Sequence, residues 1–184
     1  MTATMNPTEE LKQLVKATIA EGSVKLASGA TSDFYIDGRH TTLTSRGLQL
    51  TAQLMWERIK KWDVTAVGGP TLGADPIVAG ILMAAAAEGK TLKGFLIRKE
   101  AKGHGMGNWC EGPKLADGER VVLIEDVVTS GGSAIKAIEG MNHQYKPKVV
   151  KILALVDRQA GAVENLKKAG YEFEALFTRK DLGR

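Results

Sequence analysis

From about residue 64 onward, short apolar runs alternate with longer amphipathic stretches, the pattern of strands and helices taking turns in an α/β domain. Residues 64–67, 95–97, 149–156 and roughly 171–177 read as strands. Helices are expected from Pro76 to about 88, from Ser133 onward, and near 163–169. Val121-Val122-Leu123-Ile124 is an unbroken apolar run of β-branched residues and Leu, as expected of a strand buried on both faces of a parallel sheet. Upstream, Asn6-Pro7-Thr8-Glu9 reads as a helix start, with Asn6 as cap and Glu9 closing a capping box. Leu11, Leu14, Val15 and Ile19 mark one helical face, and Gly22 is the expected stop. Two short β-like runs, 23–26 and 32–37, are joined by a turn, and Asp37-Gly38-Arg39 reads as a further turn. A long helix follows over 45–61, apolar at Leu48, Leu54, Met55 and Ile59. No repeat, low-complexity segment or linker divides the chain, so one domain over 1–184 is expected.

Composition narrows the class without choosing a function. Hydrophobic content of 43% and charged content of 25% are those of an ordinary soluble globule. A net charge of +4 could suit nucleic acid, but acids are interleaved with the bases, there is no basic stripe with aromatics, and no helix-turn-helix segment is apparent. A phosphate-bearing small molecule accounts for the balance equally well. The single Cys110 allows no internal disulfide and suits a reducing compartment. Glu9 and Glu10 stand where a secretory signal would be basic and then apolar, and the apolar run 77–87 is too short for a bilayer. A cytoplasmic protein with no membrane association is the expectation.

The chemistry gathers at three places. Glu125 and Asp126 lie at the carboxyl end of the central strand, followed by Val127, Val128, Thr129, Ser130, Gly131, Gly132 and Ser133, which lead into a helix. Backbone amides, hydroxyls and glycines at a helix N-terminus make a phosphate cradle. The Gly-Lys-Ser/Thr ending of a P-loop is absent, and no Gly-x-Gly-x-x-Gly follows a strand. Residues 68–75, with Gly68, Gly69 and Gly73, form a second strand-to-helix turn suited to a diphosphate. Between the strand at 95–97 and the central one lies a glycine-rich stretch, about 100–117, with Lys102 and His104, preceded by Arg98 and Lys99. Its length and lack of apolar periodicity suit a cationic flap over a polyanion, or else a solvated basic loop.

Glu125-Asp126 followed by Thr129-Ser130-Gly131-Gly132 resembles the 5-phosphoribosyl 1-diphosphate (PRPP) motif of the type I phosphoribosyltransferases. Arg98-Lys99-Glu100-Ala101-Lys102-Gly103-His104-Gly105 resembles orotate phosphoribosyltransferase more narrowly. Leu26-Ala27-Ser28-Gly29, Ser32-Asp33-Phe34-Tyr35 and Val156-Asp157-Arg158 extend the likeness over nearly the whole chain. The resemblance implies a Rossmann-like α/β fold with a central, mostly parallel sheet flanked by helices. A small hood and N-terminal helix would occupy about 1–40, and a mobile catalytic loop about 99–117. It implies transfer of phosphoribose from PRPP to orotate, with Mg²⁺ carried mainly by PRPP and no protein side chain assigned to the metal. Glu125 and Asp126 would hold the ribose hydroxyls, and Val127 through Ser133 the 5′-phosphate. Arg98, Lys99, Lys102 and His104 would hold the diphosphate, with Lys102 the rate-critical residue. Thr129 and Arg158 would contact orotate. A homodimer sharing the loop across subunits is also implied. Where many members have Lys and Tyr-Lys, this chain has Ala27 and Thr71-Leu72, so a cation is missing from each place. The competing expectations are a phosphoribosyltransferase for another base, and a PRPP-sensing regulator of the same fold.

Overall fold

The computed structural model describes residues 6–20, 24–25, 31–32, 35–100 and 108–184. Helix α1 (Pro7–Lys16) opens on Asn6, whose Oδ1 accepts the Thr8 amide at 2.9 Å. Glu9 does not complete a capping box; it accepts from Gln13 Nε2 at 2.8 Å, one turn further on. The helix also ends well before Gly22. Thr18 and Ile19 are β-branched and favour extended backbone, and Ile19–Ala20 forms strand β1. β2 (Val24–Lys25) and β3 (Thr31–Ser32) pair antiparallel, and β4 (Tyr35–Ile36) pairs back with β1. Ile19 is therefore buried opposite Ile36 in a strand pair, although its spacing from Val15 fits a helix equally well.

Asp37-Gly38 leads into a single helical turn, α2 (Arg39–Thr42). α3 (Ser45–Ile59) follows, capped by Thr44, whose Oγ1 accepts the Gly47 amide. Then come β5 (Ala66–Pro70), α4 (Ala74–Ala87), β6 (Lys93–Ile97), β7 (Cys110–Glu111), β8 (Arg120–Val128), α5 (Gly132–Asn142), β9 (Lys148–Asp157), α6 (Ala162–Lys168) and β10 (Phe173–Thr178). β7 falls inside the stretch expected to be irregular; it pairs antiparallel with β6, Ile97 opposite Cys110.

The six-stranded sheet has the order β10-β9-β8-β5-β6-β7, parallel except for β7. After β5 the chain steps outward to β6, then returns to the other side of β5 for β8 and continues away through β9 and β10. Leu11, Leu50, Met55, Ile77 and Ile81, from α1, α3 and α4, pack with Val122, Ile124 and Leu153. Ala134, Ile138 and Leu166, from α5 and α6, pack with Val121, Leu123 and Ile152 in a second cluster. Val121, Val122, Leu123 and Ile124 are all fully buried, because helices cover both faces of their strand. The strand order reverses between β5 and β8. At such a switch the connecting helices leave in opposite directions and open a crevice at the strands' carboxyl ends.

Candidate active site

The crevice is a cavity of ≈ 660 Å³. Its floor is the carboxyl end of β8, with Glu125, Asp126 and Val127. One wall is the turn after β5, formed by Pro70, Thr71, Leu72 and Gly73. A second comes from β4 and the start of α2, with Tyr35, Asp37 and Arg39. A third is one face of α5, carrying Ser133, Lys136, Ala137 and Gly140, continued by His143 and Trp109. Arg98 and Lys99, just past β6, complete the rim.

The acid pair sits in an environment hostile to charge. Glu125 is 6% exposed, and burial, reinforced by the neighbouring Asp126, pushes its carboxyl up to about 8. Asp126 is also raised, chiefly by burial and further by Asp37, while the Val127 amide, donating to Oδ1 at 2.8 Å, and Arg39 oppose the rise. Asp126 is pressed between two glycines. A Cβ on Gly38 would lie 2.9 Å from Asp126 Cβ, and one on Gly73 would lie 2.4 Å from Asp126 Oδ1. Any side chain at either position would displace the carboxylate.

Arg39 faces this pair. Its Nε and Nη2 donate to the two carboxylate oxygens of Asp37 at 2.8 and 2.7 Å, and its amide also donates to Asp37 Oδ1 at 3.0 Å. The guanidinium hydrogen bonds hold the Asp37 carboxyl below its ordinary range.

Helix α5 supplies the anion-binding end. Gly131 caps it at φ 83°, the left-handed region that Gly adopts without a Cβ penalty. Asn165 Nδ2 steadies the turn by donating to the Ser130 carbonyl at 3.0 Å. The free amides of the first helical turn and the exposed Thr129, Ser130 and Ser133 are then available to an anion. Of the cradle, Val127 and Ser133 line the cavity itself; Val128, Thr129, Ser130, Gly131 and Gly132 form the turn beside it. Arg158 follows Asp157, the register partner of Val128, and its amide donates to the Val128 carbonyl at 2.9 Å. That places its backbone at the cradle, outside the cavity lining. Asp157 is buried, and burial raises its carboxyl although the Gln159 amide donates to it.

The flap's described ends are anchored to this framework. The Arg98 amide donates to the Trp109 carbonyl at 2.8 Å. Gln144 Oε1, just past α5, accepts the amides of Trp109 and Cys110 at 2.8 and 2.9 Å. The Trp109 ring stacks on His143 with centroids 5.8 Å apart, and it lies on Gly140, where a Cβ would sit 2.4 Å from the indole. Arg98 itself pairs with Glu111 at 3.2 Å on the surface. Lys102 and His104 lie outside the described residues, as do residues 26–29 and Phe34.

Sequence reasoning missed Asp37, Arg39, Trp109, Lys136, Gly140 and His143. Counting in steps of three or four from Ser133 would have found 136, 140 and 143 on the cradle's own helix. Trp109 carries no such signal, because only the tertiary fold brings it to α5.

A model of the phosphoribosyl transferase domain matches residues 42–174. An orotate phosphoribosyltransferase from Rhodopirellula baltica is 42% identical over 171 residues, covering 90% of this chain and 88% of its own. The chain belongs to the orotate phosphoribosyltransferase family. Among solved structures, the Mycobacterium tuberculosis H37Rv orotate phosphoribosyltransferase in complex with Fe(III) dicitrate superposes with a TM-score of 0.84 at 37% identity, covering 97% of this chain and 100% of that one. The same organism's enzyme in complex with PRPP gives a TM-score of 0.81 at 33% identity, with 97% and 100% covered. Fold class and family thus agree with the resemblance carried by Glu125-Asp126, the cradle and the flap.

Proposed function

We propose that this protein is an orotate phosphoribosyltransferase, transferring the 5-phosphoribosyl group of PRPP to orotate to give orotidine 5′-monophosphate and diphosphate, a step in making pyrimidine nucleotides. The observation that carries this reading is the convergence, at the β5–β8 switch point, of a buried acid pair, a helix N-terminus and a basic rim in one cavity, in a chain of this family. The bond from ribose C1 to the diphosphate oxygen breaks, a bond from C1 to a ring nitrogen of orotate forms, and the proton of that nitrogen passes to the departing diphosphate or to water. Positive charge develops on the sugar and negative charge on the leaving group, so positioning and electrostatics suffice without a covalent nucleophile. Glu125 and Asp126 hold the ribose hydroxyls, and Val127 through Ser133 receive the 5′-phosphate on backbone amides and hydroxyls. Arg98, Lys99, Lys102 and His104 stabilise the departing diphosphate, with Lys102 the most rate-critical. Thr129 and Arg158 meet orotate, the guanidinium answering its carboxylate.

The oxygen donors of Glu125 and Asp126 suit a hard cation, and Mg²⁺, which favours oxygen ligands and keeps several waters, would arrive mainly with PRPP and neutralise diphosphate charge. We also place the enzyme in the cytoplasm as a homodimer whose flap serves the neighbouring subunit. Among the described residues no helix is long and apolar enough to cross a membrane. Absorbance of orotate, followed with purified protein, PRPP and Mg²⁺, tests the activity. Loss of the orotate band that needs both PRPP and metal is the expected result, and no loss with orotate would refute it.

A further inference from the structure

The turn after β5 reaches the cavity with Pro70, Thr71, Leu72 and Gly73, and none of these carries a positive charge. An anion seated there would have backbone amides but no cation from the turn itself. Asp126 shows what stands opposite. The same carboxylate is bracketed by Gly73, which ends that turn, and by Gly38, which immediately precedes Arg39. Arg39 and the turn therefore border one point of the cavity from two sides, and both line it.

The state of the Arg39 side chain fits a binding role. Asp37 engages Nε–H and one N–H of Nη2, in the two-pronged geometry a guanidinium forms with a carboxylate. Of the five guanidinium N–H groups, three have no hydrogen-bond partner among the described residues: the second on Nη2 and both on Nη1. The side chain is 43% exposed, whereas that of Asp37 is 14% exposed. Asp37 thus fixes the guanidinium plane while leaving its outer edge to the cavity. A cation held this way loses little rotamer freedom when a ligand arrives.

We propose that Arg39 is the fixed cation of the diphosphate subsite, oriented by Asp37 to grip the diphosphate of PRPP against the turn at residues 70–73. This assignment rests on the phosphoribosyl-transfer reading. It makes Arg39 a binding residue and Asp37 a positioning residue.

The test uses steady-state kinetics in both directions on wild type, Arg39→Gln, Arg39→Lys and Asp37→Asn, alongside calorimetric titration with inorganic diphosphate. Arg39→Gln should raise KM for PRPP and, in the reverse reaction, for diphosphate by about 10- to 100-fold, the loss expected of a charge-assisted contact. KM for orotate and for orotidine 5′-monophosphate should stay within about twofold, and the melting temperature should hold. Arg39→Lys should recover part of the diphosphate affinity, and Asp37→Asn should weaken diphosphate less than Arg39→Gln does. An unchanged diphosphate KM would overturn the proposal. So would an equal rise for orotidine 5′-monophosphate, or a fall in kcat and melting temperature with every KM intact. If wild type turned over no orotate, the functional reading would fail. The calorimetric comparison of diphosphate on wild type and Arg39→Gln would still decide the fate of the cation.

Discussion

Glu125→Gln should stabilise the free protein at pH 8 relative to wild type and lose that advantage as the pH falls toward 4.5. Glu125 has its carboxyl raised from 4.5 to about 8 by burial at the end of β8. A group whose folded-state affinity for its proton is raised keeps that proton in the folded chain after the unfolded chain has released it. Between pH 4.5 and about 8 the folded state binds more protons, so stability falls as pH rises through that window and levels off above it. Each tenfold in proton affinity is worth about 1.4 kcal/mol, which caps the effect at roughly 5 kcal/mol. For a domain of this size that corresponds to a difference in melting temperature on the order of 10 °C. Gln preserves the shape and removes the titration, so the informative quantity is the slope of the difference, not its offset. Thermal unfolding followed by circular dichroism from pH 5 to 9, without substrates, measures it. Parallel curves for the two proteins would refute the idea that this carboxyl is held protonated by its surroundings.

Three further predictions address the flap and the base. Gly140→Ala places a methyl where the Trp109 ring lies and should cost about 1–3 kcal/mol in chemical denaturation; the cost should vanish in a Trp109→Ala background, and an equal loss in both backgrounds would rule out the contact. Lys102→Ala should lower kcat by more than about 100-fold while melting as wild type does; unchanged turnover would make the flap a solvated loop. Arg158→Ala should raise KM for orotate by about 10-fold and spare that for PRPP; a selective loss of PRPP binding would contradict the assignment.

The parts of the fold legible in the sequence were those where one physical demand acts over many residues. A strand covered by helices on both faces needs a continuous apolar run, and β8 displays one from Val121 to Ile124. Carboxylates directly after such a run fall at the strand's ligand-binding end, which is why Glu125 and Asp126 are legible from the sequence alone. The N-terminal strands β1 to β4 are harder because each is two residues long, too short for a period of 2 to be told from 3.6. Ile19 shows the ambiguity: four residues past Val15 it fits a helical face, yet it pairs with Ile36. β7 was invisible because its partner β6 supplies the order, and Cys110–Glu111 has no pattern of its own. Arg39 reads as part of a turn in the sequence because its place in the cavity depends on what Gly38 and Gly73 touch, and no local signal encodes that.

The arrangement has an energetic logic of its own. Two neighbouring carboxyls, both raised chiefly by burial, stand at the end of a strand whose residues Val121 to Ile124 are fully buried. Asp126 keeps the Val127 amide and Arg39 in favour of its charge, but Glu125 has burial and its neighbour both against it, so the stability of the empty protein falls as the pH rises. The fold tolerates the cost because the apolar burial along β8 and the helices that cover it offsets a local penalty. On the proposed assignment, a ligand whose hydroxyls donate to the pair and whose anion meets the α5 N-terminus would lessen that penalty. Ligand binding and folding stability would then be linked through the same two carboxyls, so a bound ligand should raise the melting temperature most at the pH where the empty protein is weakest.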